Sequence, residues 1–350
     1  MPDSRSRPRL ALTMGDVAGI GPEVVARAAA GSDLAFEPLV VGDPDTLARA
    51  LQLVGVPHGV RSLDSSAPDS FNEVVPGETS IACWNPTDVR LEEISPATVD
   101  ARCGQAAADW LHGATAAARA GDVDAIVTAP LNKLALAEAG IDVPGHTELL
   151  ARACNCEDVA MMLYLPPSAP PISGPHGLGV AHATLHTSIA SIPSLLSVDR
   201  IGERIRLLDQ FLRRTGCPSP RIGVCALNPH AGEAGLFGDE ESRLIAPAVE
   251  TSRTVGIAAS GPWPADTLMG RAVGGEFDGV VAMYHDQGHI ALKLVGCHAA
   301  VNVTLGLPIV RTSPSHGTAF DIAWQGTADA RGMFAAIETA LRLCGGTRTT

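Results

Sequence analysis

The chain has 350 residues and a formal charge of −13 at pH 7, with 46% hydrophobic and only 4% aromatic residues. Its length suits two α/β domains or one large one, with cores of Ala, Val, Leu and Ile packed between parallel strands and helices. The acidic balance argues against a nucleic-acid surface, which needs clustered Lys and Arg, and no apolar run reaches bilayer or signal-peptide length, so a cytoplasmic enzyme-sized protein is expected.

Short apolar runs alternate with helical patterns, as βαβ construction requires. Leu10–Met14 reads as a strand, followed by a Gly-rich turn and a helix opening at Pro22, where proline is well tolerated. Leu39–Val41 reads as the next strand. Residues 57–100 hold few periodic signals and read as an excursion from the first domain. The Ala-rich stretch Gly104–Ala120 predicts a helix, leading into the strand Ala125–Thr128. Residues 165–178, LPPSAPPISGPHGL, are too rich in Pro and Gly for a helix or a central strand. Further strands are predicted at Gly179–Ala183, Ile222–Leu227, Gly279–Met283 and Ala300–Thr304, and helices at Arg204–Arg214, Glu240–Ser252 and Ala330–Leu343. Eight cysteines are scattered, with only Cys154 and Cys156 close together, so free and mostly buried thiols are expected.

Open α/β sheets place their ligands at the carboxyl ends of strands, and the most informative residues fall there. After the first strand, Gly15, Gly19 and Gly21 permit a tight turn at a helix start, which suits a plain turn and a binding loop equally. Three later strand ends each deliver a histidine: His186, His230 and His285. One such residue alone reads as a structural histidine, whereas three at matching topological positions read as a shared divalent-metal site with a position open to substrate. His182/His186 and His285/His289 also have i,i+4 spacing, but both pairs follow strand-like runs and Gly288 interrupts the second. His146 and Thr147 stand at an expected helix start that favours an anion. Lys293, Asn302 and Arg311 offer donors for phosphate or carboxylate, and Asp266 could orient a metal-bound histidine or act as a base.

The segments TMGDVAGIGPE, VTAPLNK, GIDVPGHTELLA, LNPHAGE, GPWPADT, MYHDQGH and VNVTLGLPIVRTSPSHGTAFDIA then occur in one order between about residues 12 and 329. In that order they resemble the 4-hydroxythreonine-4-phosphate dehydrogenase (PdxA-type) family. The resemblance implies an isocitrate-dehydrogenase-like α/β fold, with two α/β/α domains and a cleft between them. Residues 1–145 with 301–350 would form the first domain, on the NAD side, and 146–300 the second, carrying metal ligands and dimer contacts. It also implies a homodimer with the active site at the subunit interface, and a small phosphorylated hydroxy acid as substrate, without nucleic-acid or membrane partners.

By the same resemblance, His186, His230 and His285 are the metal ligands, usually for zinc, with magnesium or cobalt as alternatives. His146, Thr147, Lys293, Asn302 and Arg311 become substrate contacts. Asp266, Lys293 and Lys133 become the catalytic candidates. Gly15, Gly19, His316, Gly317 and Thr318 fall on the NAD side. The implied reaction is NAD-dependent, metal-assisted oxidation of a hydroxyl followed by decarboxylation. Two motifs depart from the vitamin B6 pattern: His289 stands where a His-Asp-Gln-Gly-Leu-Pro run carries Leu, and Thr13-Met14-Gly15-Asp16 replaces a Thr-Pro-Gly-Glu opening. These variants look more like a branch acting on 4-phospho-threonate or 4-phospho-erythronate, and a further relative oxidises a cyclic dihydrodiol dicarboxylate from aromatic breakdown.

Overall fold

The computed structural model describes residues 7–31, 36–64, 79–143 and 145–345. The chain forms two compact units, 1–157 with 307–350 and 158–306.

The first unit is a parallel sheet with helical connections. Its elements are β1 (Arg9–Thr13), α1 (Gly21–Ala30), β2 (Glu37–Val41), α2 (Pro44–Leu53), β3 (Gly59–Leu63), β4 (Ser80–Trp84), α3 (Ala101–Ala120), β5 (Ala125–Thr128), α4 (Lys133–Glu138) and α5 (His146–Cys154). Strand order is β3-β4-β2-β1-β5, followed by β12 (Arg311–Pro314) from the distant end of the chain, and every pair is parallel. Every residue of β1 and β5 is buried, as expected for inner strands covered on both faces. The Ala-rich α3 starts at Asp100, whose carboxylate accepts from the Arg102 N–H, and stops at left-handed Gly121. A Cβ on Gly104 would lie 2.1 Å from the Ala135 carbonyl oxygen, so glycine is what lets α3 and the α4 backbone touch.

The second unit contains β6 (Ala160–Leu165), β7 (Leu178–His182), α6 (Ile192–Leu195), α7 (Val198–Arg214), β8 (Arg221–Cys225), α8 (Ala246–Thr254), β9 (Ala258–Trp263), α9 (Ala265–Val273), β10 (Gly279–Ala282), α10 (His285–Gly296) and β11 (Val301–Leu305). Its order is β11-β6-β7-β10-β8-β9, with β6 antiparallel to both neighbours and the other pairs parallel. The core gathers Leu163, Val180, Val280, Leu268 and Phe277 between sheet and helices. After β12 comes α11 (Arg331–Leu343), the last helix among the described residues.

Residues 57–100 differ from the expected excursion: β3 and β4 are paired strands of the first sheet, and 65–78 lie outside the described residues. Four of the five β3 residues are not buried, which is why no apolar run announces this strand at the end of the strand order. The unit boundaries fall later than 145 and 300. Helix α5 packs on α3 in the first unit, and β11 pairs with β6 in the second. The Pro-rich stretch between β6 and β7 forms neither helix nor strand, as its composition requires. Among the described residues, no helix is long and apolar enough to cross a membrane.

Candidate active site

Strands β7, β10 and β8 are adjacent and parallel, so their carboxyl ends leave the sheet side by side, ~4.8 Å per strand. His186 follows β7, His285 opens α10 directly after β10, and His230 follows β8. The rings of His186 and His285 have centroids 5.6 Å apart. His285 Nδ1 donates to Asp286 Oδ1 across 2.6 Å. That bond holds the Nδ1 proton and leaves the Nε2 lone pair for a cation, the arrangement usual for metal-bound imidazoles. The donor chemistry of His186 and His285 therefore fits a borderline divalent metal.

His230 is held differently. It is exposed, 3.6 Å from Glu233 Oε2 through Nδ1, with its ring 6.4 Å from that of Phe237. Residues 230–234 all have positive φ, between 43° and 78°, which L-residues adopt at a cost. The buried Glu241 carboxylate fixes the start of this run by accepting from the Leu227 and Asn228 backbone N–H groups at 2.9 and 2.7 Å. Gln287 links the two strand ends, accepting from the Met283 N–H at 2.7 Å and donating to the Ala226 carbonyl at 2.8 Å. Among the described residues, no three His, Cys, Asp or Glu side chains stand close enough together to hold a metal.

His285 and His289 share a helix face after all, because α10 starts at His285 and accommodates Gly288. Their rings stack with centroids 3.7 Å apart, 12° from parallel. His289 Nδ1 also lies 3.1 Å from Nε2 of buried His182. Burial first, with neighbouring imidazoles adding, pushes His182 down to about 4 and His289 down to about 3, so both rings are neutral at pH 7. Sequence reasoning noted the spacing and discounted it, and the signal it lacked was that the helix begins immediately at the strand end.

Of the remaining candidates in the second unit, Lys293 is exposed on α10, four residues beyond His289. Asp266 is exposed in the first turn of α9, accepting from the Thr267 N–H at 3.0 Å. Asn302 on β11 is partly buried, with Nδ2 3.5 Å from Met161 Sδ and a buried Oδ1 that has no hydrogen-bond partner among the described residues.

The first unit carries the anion-type residues. Arg311 is buried at the start of β12 and donates from Nη2 to Thr128 Oγ1 at 2.6 Å, an alignment set by the β12–β5 register. Burial holds its guanidinium down at about 9, partly offset by the Glu148 carboxylate. His146 and Thr147 open α5 and are partly buried. Dehydration among protein atoms, and then the Arg311 charge, push the His146 imidazole well below its usual range. Lys133 is exposed at the first position of α4, its Cε 3.9 Å from where a Cβ on Gly145 would lie.

The loop after β1 serves chain packing. A Cβ on Gly15 would lie 2.3 Å from the Pro130 carbonyl oxygen, and one on Gly19 2.8 Å from that of Thr318. The missing side chains thus admit backbone from two other segments. Ile20 N–H donates to the Thr318 carbonyl at 3.0 Å, Trp324 Nε1 to the Val17 carbonyl at 2.7 Å and Arg27 to the Gly326 carbonyl at 2.7 Å. The expected NAD-side segment 315–319 is thereby strapped to the first turn. Within it, His316 and Gly317 are exposed, and a Cβ on Gly317 would meet nothing within 4 Å among the described residues. Asp16 is buried, accepts from the Ala18 N–H at 2.8 Å, and is pushed up to about 6 by burial.

The family model described as pyridoxal phosphate biosynthetic protein PdxA matches residues 35–340. A D-threonate 4-phosphate dehydrogenase from Pectobacterium atrosepticum is 44% identical over 339 residues, covering 95% of this chain and 98% of the relative. A 4-hydroxythreonine-4-phosphate dehydrogenase from Desulfosudis oleivorans is also 44% identical, covering 96% of each. The crystal structure of 4-hydroxythreonine-4-phosphate dehydrogenase from Klebsiella pneumoniae superposes with a TM-score of 0.82 at 43% identity, over 96% of this chain and 99% of that one. A β-decarboxylating dehydrogenase from Thermococcus kodakarensis, 15% identical with a TM-score of 0.51, shares the fold. Sequence and fold agree along nearly the whole chain, which therefore belongs to the PdxA family of dehydrogenases.

Proposed function

We propose that this dehydrogenase uses NAD and a divalent metal to oxidise, and then decarboxylate, a four-carbon 3-hydroxy acid bearing a 4-phosphate. The observation that carries this reading is the delivery of His186, His285 and His230 by the ends of three adjacent parallel strands, with the His285 Nδ1 proton already held by Asp286. These three imidazoles would hold the metal, zinc first and magnesium or cobalt as alternatives. When bound, it would supply Lewis-acid polarisation of the C3 oxygen, and NAD would supply the hydride acceptor.

The chain's own residues take the remaining roles. Arg311, with Thr128 fixing its fork, binds the phosphate, and His146 and Thr147 add neutral donors at the start of α5. Asn302 orients the acid through its amide. Lys293, four residues beyond His289 on α10, binds the carboxylate or returns a proton to carbon, while Asp266 and Lys133 are the acid–base groups. Gly15 and Gly19 shape the turn that carries His316, Gly317 and Thr318 toward NAD. A homodimer is supported by the exposed Ile290 and Leu294, one turn apart on α10 and 57% and 83% accessible. We assign the NAD-linked reaction to the cytoplasm.

The 2-amino and 2-hydroxy substrates named for the relatives differ only at C2. The His289 and Met14-Gly15-Asp16 variants favour the 2-hydroxy acid, D-threonate 4-phosphate. NADH formation by the purified protein with zinc tests this against 4-phosphohydroxythreonine. Faster turnover of D-threonate 4-phosphate supports the assignment, faster turnover of the amino acid overturns it at C2, and inactivity with both overturns the reading of the substrate class.

A further inference from the structure

Two backbone carbonyls order the protons of a buried histidine pair. His182 Nδ1 lies 3.3 Å from the Met161 carbonyl oxygen, and His289 Nδ1 lies 3.2 Å from the His285 carbonyl oxygen. A carbonyl only accepts, so both Nδ1 atoms carry protons. The 3.1 Å contact between His182 Nε2 and His289 Nδ1 then has one assignment, with His182 accepting and the single His289 Nδ1 proton shared between it and the His285 carbonyl. The chain of bonds starts at a strand carbonyl on β6, crosses His182 at the end of β7, and ends on α10 at the ring stacked against His285. Residue 288 must be small for this to exist, since a Cβ there would lie 2.5 Å from His182 Nε2.

We propose that His182 and His289 are positioning residues for His285. The hydrogen-bonded pair fixes the plane of the ring against which His285 stacks, while Asp286 holds His285 through Nδ1. Between them the two contacts leave His285 a single orientation in which to present Nε2. This inference rests on the reading of His285 as a metal ligand.

The test is the zinc dissociation constant of the full chain, measured by competition with a chromophoric chelator, alongside the urea midpoint of each variant. His289→Leu removes donor and ring and is expected to weaken zinc about 10- to 100-fold, the usual effect of losing a group that orients a metal ligand, with the urea midpoint little changed. His289→Asn returns an N–H near the position of Nδ1 and is expected to recover most of that loss, which a merely structural residue would not produce. Should His289→Leu not fold, His289→Phe, which keeps a stacked ring without the donor, carries the same expectation. His285→Ala separates the two readings. If it loses zinc while the position-289 variants bind as wild type does, the positioning role is overturned and the metal site stands. If His285→Ala itself binds zinc unchanged, both are overturned.

Discussion

Arg311 donates from Nη2 to Thr128 Oγ1 across 2.6 Å, and both residues are buried in the first unit. A guanidinium held this way has little conformational entropy left to lose on binding an anion, and its fork lies in a fixed plane. Arg311→Ala is therefore expected to raise KM for the phosphorylated acid about 10- to 100-fold, the equivalent of one or two charged hydrogen bonds, with kcat less affected. Thr128→Val should show a smaller change in the same direction. Equal losses on phosphorylated and unphosphorylated analogues would remove Arg311 from phosphate recognition.

Asp16 gives a pH dependence with a definite sign. Its folded-state value of about 6 lies above the ordinary 3.8, so its contribution to stability is full below about pH 4 and is lost as pH rises through 6. The difference is worth about 3 kcal/mol for this buried side chain. The stability of Asp16→Asn relative to wild type should thus improve by about 2–3 kcal/mol between pH 4 and pH 8. Urea melts of both proteins at the two pH values measure it, and parallel behaviour would show that folding leaves the Asp16 pKa unshifted.

Gly19→Ala probes the strap between the first turn and segment 315–319. Its Cβ would lie 2.8 Å from the Thr318 carbonyl oxygen and 2.9 Å from the Thr318 Cβ, so backbone must shift. The expected outcome is a ~10-fold weaker Kd for NAD by fluorescence titration, reflecting ~1–2 kcal/mol of displaced packing, with zinc binding untouched. An unaltered Kd would detach this segment from NAD binding.

Chelation tests the metal reading without mutation. Dialysis against a chelator should lower NADH formation on the order of 100-fold or more, with zinc restoring it, because several kcal/mol of charge stabilisation leave with the cation. His230→Ala should lose activity similarly and bind less zinc at unchanged urea midpoint. Full activity of metal-free His230→Ala would exclude His230 as a ligand.

The parallel strands around β1, β5, β8 and β10 were legible because buried inner strands read as continuous apolar runs bounded by turn residues. Strand β3 was not, since its residues are largely accessible and its pairing with β4 is a long-range fact. Strand β6, where no strand was expected, escaped for a different reason: a short apolar run does not by itself tell a buried strand from a buried helix segment. At the site, His186, His230 and His285 were visible from their places after strands. The roles of His182, Gln287, Glu241 and Thr128 were not, because each depends on a partner far along the chain and on geometry that no local pattern encodes.

The second unit is one uninterrupted stretch of chain, whereas the first needs β12 beside β5 and α11 packed on both. A ribosome releasing the chain from its N-terminus therefore completes the metal-type histidine loops before the first sheet has its last strand. Residues 1–157 must wait, with the side of β5 that receives β12 still open, while 158–306 are made and fold. Newly made chains halted just before β12 would expose that edge, making this stage of synthesis, rather than the finished protein, the point most open to misassociation.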